Sequence, residues 1–331
     1  MNRVESMIKP FLKWAGGKGK IVEEIVEHIE EDGRDWFPSE NNRYFEPFFG
    51  GGALCFHLLN SGIISAKSAR ISDLEPSLVN AIKVLSIGKH RKELIQNLKN
   101  LEKEYHEFQE NHGMTAPDDS TRKDRMYYQK RELLRVYQRN KPDTVGDKID
   151  WAALTIFVNK TCFNGLWRVN SAREFNVPEG RYKKPKICNS ELLNSVGDVL
   201  SKFSEIKNES YKEALKNVKS GDLVYLDPPY MPLKVGDYVF KDYTEEPFDE
   251  EQQEELATYA AQLVSKGARV IASNNYLEEK LEQIYIKAAQ QHNIPPPKFL
   301  TIPITRTMSS VGKDRVEIAE VLILMHPEAS Q

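Results

Sequence analysis

In the second half of the chain the sequence runs Leu223-Val224-Tyr225-Leu226-Asp227-Pro228-Pro229-Tyr230. Its first four residues are apolar and follow a turn signal at Gly221-Asp222, which predicts a buried parallel strand. In open α/β sheets, ligands bind where such strands end. Because the two prolines stop the hydrogen-bond ladder, the turn presents the Asp227 carboxylate, backbone carbonyls and the Tyr230 ring side by side.

This turn suits a flat ring that carries an amino group. Its oxygens can accept hydrogen bonds from the two amino hydrogens, while the tyrosine lies against the face of the ring. Acceptors on both hydrogens favour a tetrahedral nitrogen, whose lone pair then points at an incoming methyl group. The motif by itself does not distinguish this chemistry from a structural turn at a strand end.

The first of two glycine-rich stretches holds Trp14, Gly16, Gly17 and Lys18 ahead of a helical pattern. Small residues before a helix let its first amides approach a carboxylate. The Gly-Lys-Ser/Thr ending of a nucleoside triphosphate loop is missing. Taken alone, this stretch is more simply a helix cap.

The second glycine-rich stretch, Arg43–Leu54, predicts a strand, a turn at Gly50-Gly51-Gly52 and a helix. Another strand ends about twenty residues later at Asp73, a position suited to bind ribose hydroxyls. The dinucleotide fingerprint is absent, which disfavours NAD. The order of strand, glycine turn, strand and acid favours a nucleoside-containing cofactor other than NAD. Helix capping is the alternative role of Asp73.

Strands and helices alternate again after Tyr230. We predict helices over 248–264 and 278–290 and strands over 268–275, 300–305 and 317–325. The fold class is therefore α/β, with a doubly wound sheet of the nucleotide-binding type.

The long segment between Asp73 and Asp227 is mainly helical and lacks a β–α rhythm, which predicts an inserted recognition domain. We expect one part of the sheet domain in residues 1–80, the insert in 81–189 and the rest of the sheet domain in 190–331. Residues 160–186 hold seven basic side chains against two acidic ones, interleaved with aromatic residues. This pattern fits phosphate contacts and base stacking, although a solvated basic loop is the simpler alternative.

Length and composition limit the classes of protein to which the chain can belong. The chain has 331 residues and a formal net charge of −3, enough length for a well-buried core but too little positive charge for a uniform nucleic-acid coat. It lacks both a membrane-length apolar run and a signal-peptide core. Three scattered cysteines and histidines without ligand spacing favour a reduced, cytoplasmic compartment, no membrane association and no metal site.

Several motifs occur together in a defined order. They are Lys13-Trp14-Ala15-Gly16-Gly17-Lys18, Glu46-Pro47-Phe48-Phe49-Gly50-Gly51-Gly52, Phe163–Arg168, Glu174–Pro185 and Asp227-Pro228-Pro229-Tyr230. In this order they resemble the Dam-type DNA adenine methyltransferases, over nearly the whole chain. The resemblance implies a methyltransferase sheet that binds S-adenosylmethionine, with an inserted, mainly helical target-recognition domain, in an enzyme that flips an adenine out of double-stranded DNA.

The resemblance also implies residue roles by matching position. The implied cofactor-binding residues are Trp14, Lys18, Phe48, Gly50, Asp73 and Asp227. Asp73 would hold the ribose of the cofactor. Asp227, in a turn with Pro228 and Pro229, would accept from the adenine amino group, while Tyr230 stacks on the flipped base. The methyl group moves directly to nitrogen, without a covalent enzyme intermediate.

A second set of matching positions concerns DNA. The implied recognition residues are Lys13, Phe163, Asn164, Leu166, Arg168, Pro178 and Tyr182, with Lys183, Lys184 and Arg306 as phosphate contacts. Lys13 and Arg168 match guanine-reading positions, and the implied target is the palindrome GATC. Two residues depart from the family pattern, since Phe163 replaces a tyrosine and Trp167 stands where a smaller side chain is common. Both departures bear on the strictness of target choice.

Two other functions are considered. Amino methylation of cytosine is one, although Asp227 in place of serine favours adenine. A non-catalytic DNA-binding module is the other, and the intact Lys18, Asp73, Asp227 and Tyr230 argue against it. The sequence leaves open whether a cognate restriction endonuclease acts on the same site.

Overall fold

A computed structural model describes residues 7–14, 16–113, 124–230, 248–275, 278–307 and 315–328. Its helices are α1 (Val22–Glu31), α2 (Ala53–Asn60), α3 (Pro76–Ser86), α4 (Gly88–His112), α5 (Met126–Asn140), α6 (Val145–Thr161), α7 (Ser190–Leu200), α8 (Tyr211–Ala214), α9 (Glu250–Ser265) and α10 (Glu278–Gln291). Its strands are β1 (Tyr44–Glu46), β2 (Ala69–Ser72), β3 (Glu205–Lys207), β4 (Leu223–Leu226), β5 (Arg269–Asn275), β6 (Lys298–Thr307) and β7 (Arg315–Met325). Ala15, in the first quoted motif, lies outside the described residues.

The chain divides into two compact units. Unit 1 comprises the described residues of Met1–Gly17, Gly50–Phe56 and Asp73–Asn208. Unit 2 comprises those of Lys18–Phe49, His57–Ser72 and Glu209–Gln331.

The strands of the described chain form a mixed seven-stranded sheet. In unit 2 the strand order is β2-β1-β4-β5-β7-β6, where β2, β1, β4 and β5 are parallel and β7 is antiparallel to β5 and β6. Leu226 pairs with Ala272 at the end of β4, and Asn275 of β5 pairs with Glu320 of β7. This register brings the residue after β4, Asp227, to the sheet edge where Ser273 and Glu320 also lie. The predicted α/β fold is confirmed.

Strand β4 is buried along its whole length, as expected for a parallel strand covered on both faces. Helix α9 contributes Leu256, Ala257 and Ala260 to the same core cluster as Val224. The helix begins at Asp249, whose side chain accepts hydrogen bonds from the backbone of Glu251 and Gln252 in a capping box.

Helix α6 is the centre of unit 1 and packs against α3, α4 and α5. Its residues from Trp151 to Asn159 are buried without interruption, which is typical of a helix surrounded by other elements. Thr144 caps the first turn by accepting from the backbone N–H of Asp147 at 3.1 Å. The predicted helical character of the inserted region is confirmed.

The absence of a β–α rhythm before Asp227 was a wrong prediction for its last part. Helix α7, strand β3, helix α8 and strand β4 alternate there. Strand β3 has only three residues, Glu205-Ile206-Lys207, and none of them is fully buried. It therefore offers neither the length nor the apolar run by which a strand is detected in sequence.

Candidate active site and nucleic-acid interface

In unit 2 the Asp227 carboxylate accepts hydrogen bonds from two side chains. The Lys18 ammonium lies 2.7 Å from Oδ1 and 2.9 Å from Oδ2, and the Ser273 hydroxyl donates to Oδ1 at 2.9 Å. Ser273 is itself hydrogen-bonded to the Tyr225 hydroxyl at 2.9 Å. The strand-end carboxylate is thus held in place by groups from β4, from β5 and from Lys18, which lies four residues before the start of α1.

Tyr230 closes this cluster from the other end of the Asp-Pro-Pro-Tyr turn. Its hydroxyl accepts from Lys18 and donates to Glu320, and it also lies 3.3 Å from Asp227 Oδ1. The Lys18 ammonium stands 4.8 Å from the centroid of the Tyr230 ring. Burial, and then the charges of Asp227 and Glu320, raise the pKa of Tyr230 well above its ordinary value, so the hydroxyl keeps its proton as a donor.

The two prolines give the turn its acceptor character. Pro228 is buried and Pro229 is half-buried. Neither has a backbone N–H, so the turn between Asp227 and Tyr230 carries carbonyl acceptors and no donor from these two residues. This is the arrangement that the sequence predicted for an amino-group site.

Glu320 is a member of the cluster that the sequence analysis missed. It lies on β7 with its carboxylate 3.2 Å from the Lys18 ammonium. Burial raises the pKa of the Glu320 carboxyl, an effect that Lys18 opposes and Asp227 reinforces. The available signal was a single acid inside the apolar run Ile318–Leu324, because such a buried acid requires a partner.

The cluster is densely charged and largely shielded from solvent. The side chains of Lys18 and Glu320 are 3% and 1% exposed, whereas Asp227 is 20% exposed. One ammonium thus faces two carboxylates, and the carboxylate of the Asp-Pro-Pro-Tyr turn is the one that solvent reaches. A ligand amino group could approach Asp227 from this exposed side.

Three of the predicted cofactor residues lie together in unit 1. Asp73 accepts from the backbone N–H of Gly50 at 2.8 Å and from that of Glu75 at 2.9 Å. Gly50 has a φ of 48°, and a Cβ at this position would lie 2.8 Å from Cδ1 of Trp14. Only glycine therefore suits this contact between the loop and the indole ring.

The other predicted cofactor residues, Phe48, Lys18 and Asp227, belong to unit 2. Phe48 stacks on Tyr211 with ring centroids 5.6 Å apart and meets the edge of Phe248 at 6.3 Å. Lys18 is engaged with Asp227, as described above. Their assignment to the cofactor stays a prediction.

The predicted recognition region is a β-hairpin-like loop that follows α6 in unit 1. Backbone hydrogen bonds join Phe163 to Pro178 at 2.9 Å and Asn176 to Arg168 at 3.0 Å. Isolated bridges pair Cys162 with Glu179 and Val169 with Phe175. We call residues 161–180 the recognition hairpin.

Side chains alternate between the two faces of this hairpin, as they do in strands. Trp167, Val169, Phe175 and Val177 are buried. All seven predicted DNA-recognition residues have exposed side chains: Lys13, Phe163, Asn164, Leu166, Arg168, Pro178 and Tyr182. All seven side chains are therefore accessible to solvent.

Helices α4 and α5 hold the buried side of the recognition hairpin. The Tyr127 hydroxyl donates to the Val177 carbonyl at 2.9 Å, and Arg135 Nε donates to the Phe175 carbonyl at 2.8 Å. Glu179 accepts from Tyr105 at 2.7 Å and from Arg125 at 2.6 Å. Polar side chains of these two helices and of Arg125, the residue before α5, thus position the hairpin.

Asn159 fixes the chain at Lys13. Its side-chain oxygen accepts from the Lys13 N–H at 3.1 Å, and its amide donates to the Lys13 carbonyl at 2.9 Å. The neighbouring Trp14 stacks on Trp167 with ring centroids 5.5 Å apart. The sequence analysis did not identify Asn159, because a buried asparagine within a helix has no signal that separates it from a structural residue.

Trp167 was noted as a departure from the family pattern. It is completely buried and packs between Trp14 and Phe175, 4.8 Å from the latter. The large Trp167 side chain therefore fills space inside unit 1 and does not lie on the exposed face of the recognition hairpin.

No group of three or more His, Cys, Asp or Glu side chains among the described residues is arranged to hold a metal ion. No described helix combines the length and the hydropathy needed to cross a membrane.

Comparison with known proteins identifies the family. Residues 14–298 match the D12 class N6 adenine-specific DNA methyltransferases. The type II methyltransferase M.MjaIII of Methanocaldococcus jannaschii is 36% identical, over 84% of this chain and 88% of its own. The type II methyltransferase M1.LlaDCHI of Lactococcus lactis subsp. cremoris is 32% identical over 96% and 95%, and the DNA adenine methylase of Escherichia coli K12 is 30% identical over 96% of both chains. The chain therefore belongs to the D12 class of N6 adenine-specific DNA methyltransferases.

Proposed function

We propose that this enzyme transfers the methyl group of S-adenosylmethionine to the N6 amino group of an adenine flipped out of double-stranded DNA, in the sequence GATC. Family membership implies S-adenosylmethionine as the methyl donor. The observation that supports the catalytic part most directly is the Asp227 carboxylate, fixed by Lys18 and Ser273 beside the Tyr230 ring. The palindrome rests on the matched positions of Lys13 and Arg168.

In the proposed reaction Asp227 accepts a hydrogen bond from the adenine amino group, and the carbonyls of the proline turn accept the second hydrogen. This draws the nitrogen toward tetrahedral geometry and directs its lone pair outward. The bound cofactor supplies an electrophilic methyl group on a sulfonium ion. Tyr230 stacks on the purine ring. The methyl–sulfur bond breaks as the new N–C bond forms, the sulfur is left as a neutral thioether, and the surplus amino proton then leaves to solvent.

In this reaction Lys18 and the adenine amino group share the Asp227 carboxylate. Its ammonium lies within hydrogen-bond distance of both carboxylate oxygens, and these oxygens are the proposed acceptors for adenine. Each carboxylate oxygen has two lone pairs, so the adenine amino group can join Lys18 at one oxygen or replace it.

The residues around Asp73 fit the cofactor. The two backbone N–H groups from Gly50 and Glu75 occupy one lone pair on each carboxylate oxygen, which leaves acceptor capacity for two ribose hydroxyls. Gly50 leaves room beside Trp14 that a side chain would fill. We propose that Asp73 binds the ribose and that Trp14 and Gly50 form the adjoining surface.

Cofactor affinity is predicted to depend on pH through Asp73. Burial raises the pKa of this carboxyl to about 6. Because hydroxyl groups donate to the ionised form, affinity should be constant above pH 7 and fall as the pH decreases through about 6. Titration calorimetry between pH 5 and 8 tests this. In Asp73→Asn the affinity should be low at every pH, and a wild-type affinity that stays constant down to pH 5 contradicts the ribose role.

DNA recognition is proposed for the exposed face of the recognition hairpin. Asn176 accepts from Arg168 Nε at 2.7 Å, which orients the guanidinium. Phe163 is 49% exposed and would wedge into the duplex beside the vacated position. Lys13, whose backbone Asn159 fixes, would read the outer guanine.

Arg168→Ala is predicted to relax specificity more than it weakens binding. A bidentate arginine–guanine contact contributes about 1–3 kcal/mol of discrimination, so preference at one base pair should fall by about 10- to 100-fold. The measurement is kcat/KM on GATC and on duplexes altered at single positions. Lys183→Ala is the matched control, because loss of a phosphate contact should weaken all duplexes alike. Equal losses on every duplex in Arg168→Ala would remove the guanine-reading role.

Digestion of the methylated product to nucleosides tests the target base. Detection of N6-methyldeoxyadenosine supports the proposal, whereas deoxycytidine methylated on its amino group would contradict adenine as the target base. Two relatives are named type II methyltransferases. On this ground we propose a restriction–modification context, in which the methylated site resists a cognate endonuclease.

A further inference from the structure

We propose that Glu320 is a positioning residue for methyl transfer, which retains Lys18 and Tyr230 while Asp227 engages the adenine amino group. The proposal rests on the proposed function, since it takes Asp227 as the acceptor for adenine. It is based on the side-chain contacts of β7, a strand that none of the quoted sequence motifs includes.

Glu320 contacts two of the three residues whose side chains adjoin the Asp227 carboxylate. Its carboxylate lies 3.2 Å from the Lys18 ammonium, and it accepts a hydrogen bond from the Tyr230 hydroxyl. Strand pairing fixes its location, because Glu320 pairs with Asn275 two residues beyond Ser273. The antiparallel strand therefore brings a second carboxylate to the edge where β4 presents the first.

The need for a second carboxylate follows from the burial of Lys18. This side chain is only 3% exposed, and a buried ammonium without a partner is strongly unfavourable. When the amino group replaces Lys18 at one oxygen of Asp227, Lys18 loses part of its hydrogen bonding there. Glu320 is already close enough to take the ammonium with only a small shift, so Asp227 can exchange partners without exposing Lys18 to water.

Tyr230 gains its orientation from the same residue. A stacked ring can still rotate in its own plane and slide over a base, but a hydroxyl tied to a buried strand removes much of this freedom. Glu320 thus sets where the ring of Tyr230 lies relative to Asp227. Preorganised geometry of this kind is worth most in a site that excludes water.

The negative charge of Glu320 also favours methyl transfer. Lys18 neutralises one of the two carboxylates, so the ionised cluster carries one net negative charge. Methyl transfer places positive charge on the amino nitrogen before its proton leaves. A fixed negative charge near Asp227 stabilises that state more than the neutral amino group.

The test is Glu320→Gln, which preserves shape and an acceptor oxygen but removes the charge. We expect the single-turnover rate of methyl transfer to fall by about 10- to 100-fold, less than the loss of a group in direct contact with the reacting atoms. The dissociation constants for duplex and cofactor should change by less than about threefold, and Tm should stay within a few degrees.

Asp222→Asn is the matched control. Asp222 is a buried carboxylate at the opposite end of β4, paired with Arg43 and bonded to the Lys219 N–H at 2.8 Å. This variant should lower Tm while the folded enzyme keeps its transfer rate. Opposite responses of the two variants separate a positioning role from a structural one.

Two results would overturn the proposal. One is a Glu320→Gln enzyme that transfers methyl groups at the wild-type rate. The other is a Glu320→Gln enzyme whose Tm falls as it does in Asp222→Asn and whose duplex and cofactor binding is also lost. Tyr230→Phe completes a double-mutant cycle, in which the combined loss should be smaller than the product of the single losses. Failure of the wild-type enzyme to methylate any duplex would instead refute the proposed function, so the two failures are distinguishable.

Discussion

Asp227→Asn is expected to reduce methyl transfer by at least about 1,000-fold while duplex binding remains within a few-fold of wild type. The substitution keeps the shape of the side chain but removes its negative charge and one acceptor oxygen. Lys18 and Ser273 both donate to this carboxylate, so the remaining amide oxygen would be shared between them and adenine. The amide NH2 group, which replaces the second oxygen, is a hydrogen-bond donor and cannot accept from Lys18, Ser273 or adenine.

The measurement is single-turnover transfer of labelled methyl groups at saturating duplex and cofactor. Asp227 is partly exposed and Glu320 remains as a partner for Lys18, so the variant should still fold. Its Tm and duplex dissociation constant serve as controls. A variant that transfers methyl groups at more than a tenth of the wild-type rate would contradict the assignment of Asp227, and a variant that does not fold would favour a structural turn.

Trp167→Ala is expected to have the largest effect on stability. The side chain is completely buried between Trp14 and Phe175, and removal of a buried aromatic residue costs about 3–5 kcal/mol. Because Trp14 loses its stacking partner, cofactor affinity should fall as well. Thermal unfolding and titration calorimetry measure the two effects.

Phe163→Ala provides the comparison from the exposed face of the recognition hairpin. Phe163 is 49% exposed, so its removal should change the free energy of unfolding by less than about 1 kcal/mol. It should instead reduce the fluorescence signal of base flipping in a duplex that carries 2-aminopurine at the target adenine. Similar stability losses in the two variants would contradict the alternation of faces.

The Asp-Pro-Pro-Tyr turn could be predicted from sequence because its signal is local. An apolar strand, an acid and two prolines occupy consecutive positions, and the structure places Asp227 at the strand end as expected. Gly50 and Asp73 were likewise predicted from a strand, a glycine turn and an acid in order, and they are hydrogen-bonded to each other. The exposed recognition residues were predicted by resemblance to a family.

The remaining parts of the site depend on contacts between distant residues. Lys18 reaches Asp227 and Tyr230 reaches Glu320 only because β4, β5 and β7 are neighbours in the sheet. No periodicity in the sequence reveals that a single acid in β7 faces a lysine near the start of the chain. Asn159 was missed for the same reason, since its hydrogen bonds to Lys13 join two segments that no local pattern connects.

The most direct test of the account is labelled methyl transfer from S-adenosylmethionine to short duplexes that contain GATC, compared with duplexes in which either outer base pair is changed. We predict transfer to the adenine of GATC and rates at least about 100-fold lower on the altered duplexes. Each altered base pair typically costs ~1–3 kcal/mol of binding free energy. The transfer rate falls further because the adenine in an altered duplex is less well positioned for the reaction. Equal transfer to altered duplexes would contradict the reading of the outer pairs by Lys13 and Arg168. No transfer to any duplex would contradict the central claim that Asp227 and its cluster methylate a flipped adenine.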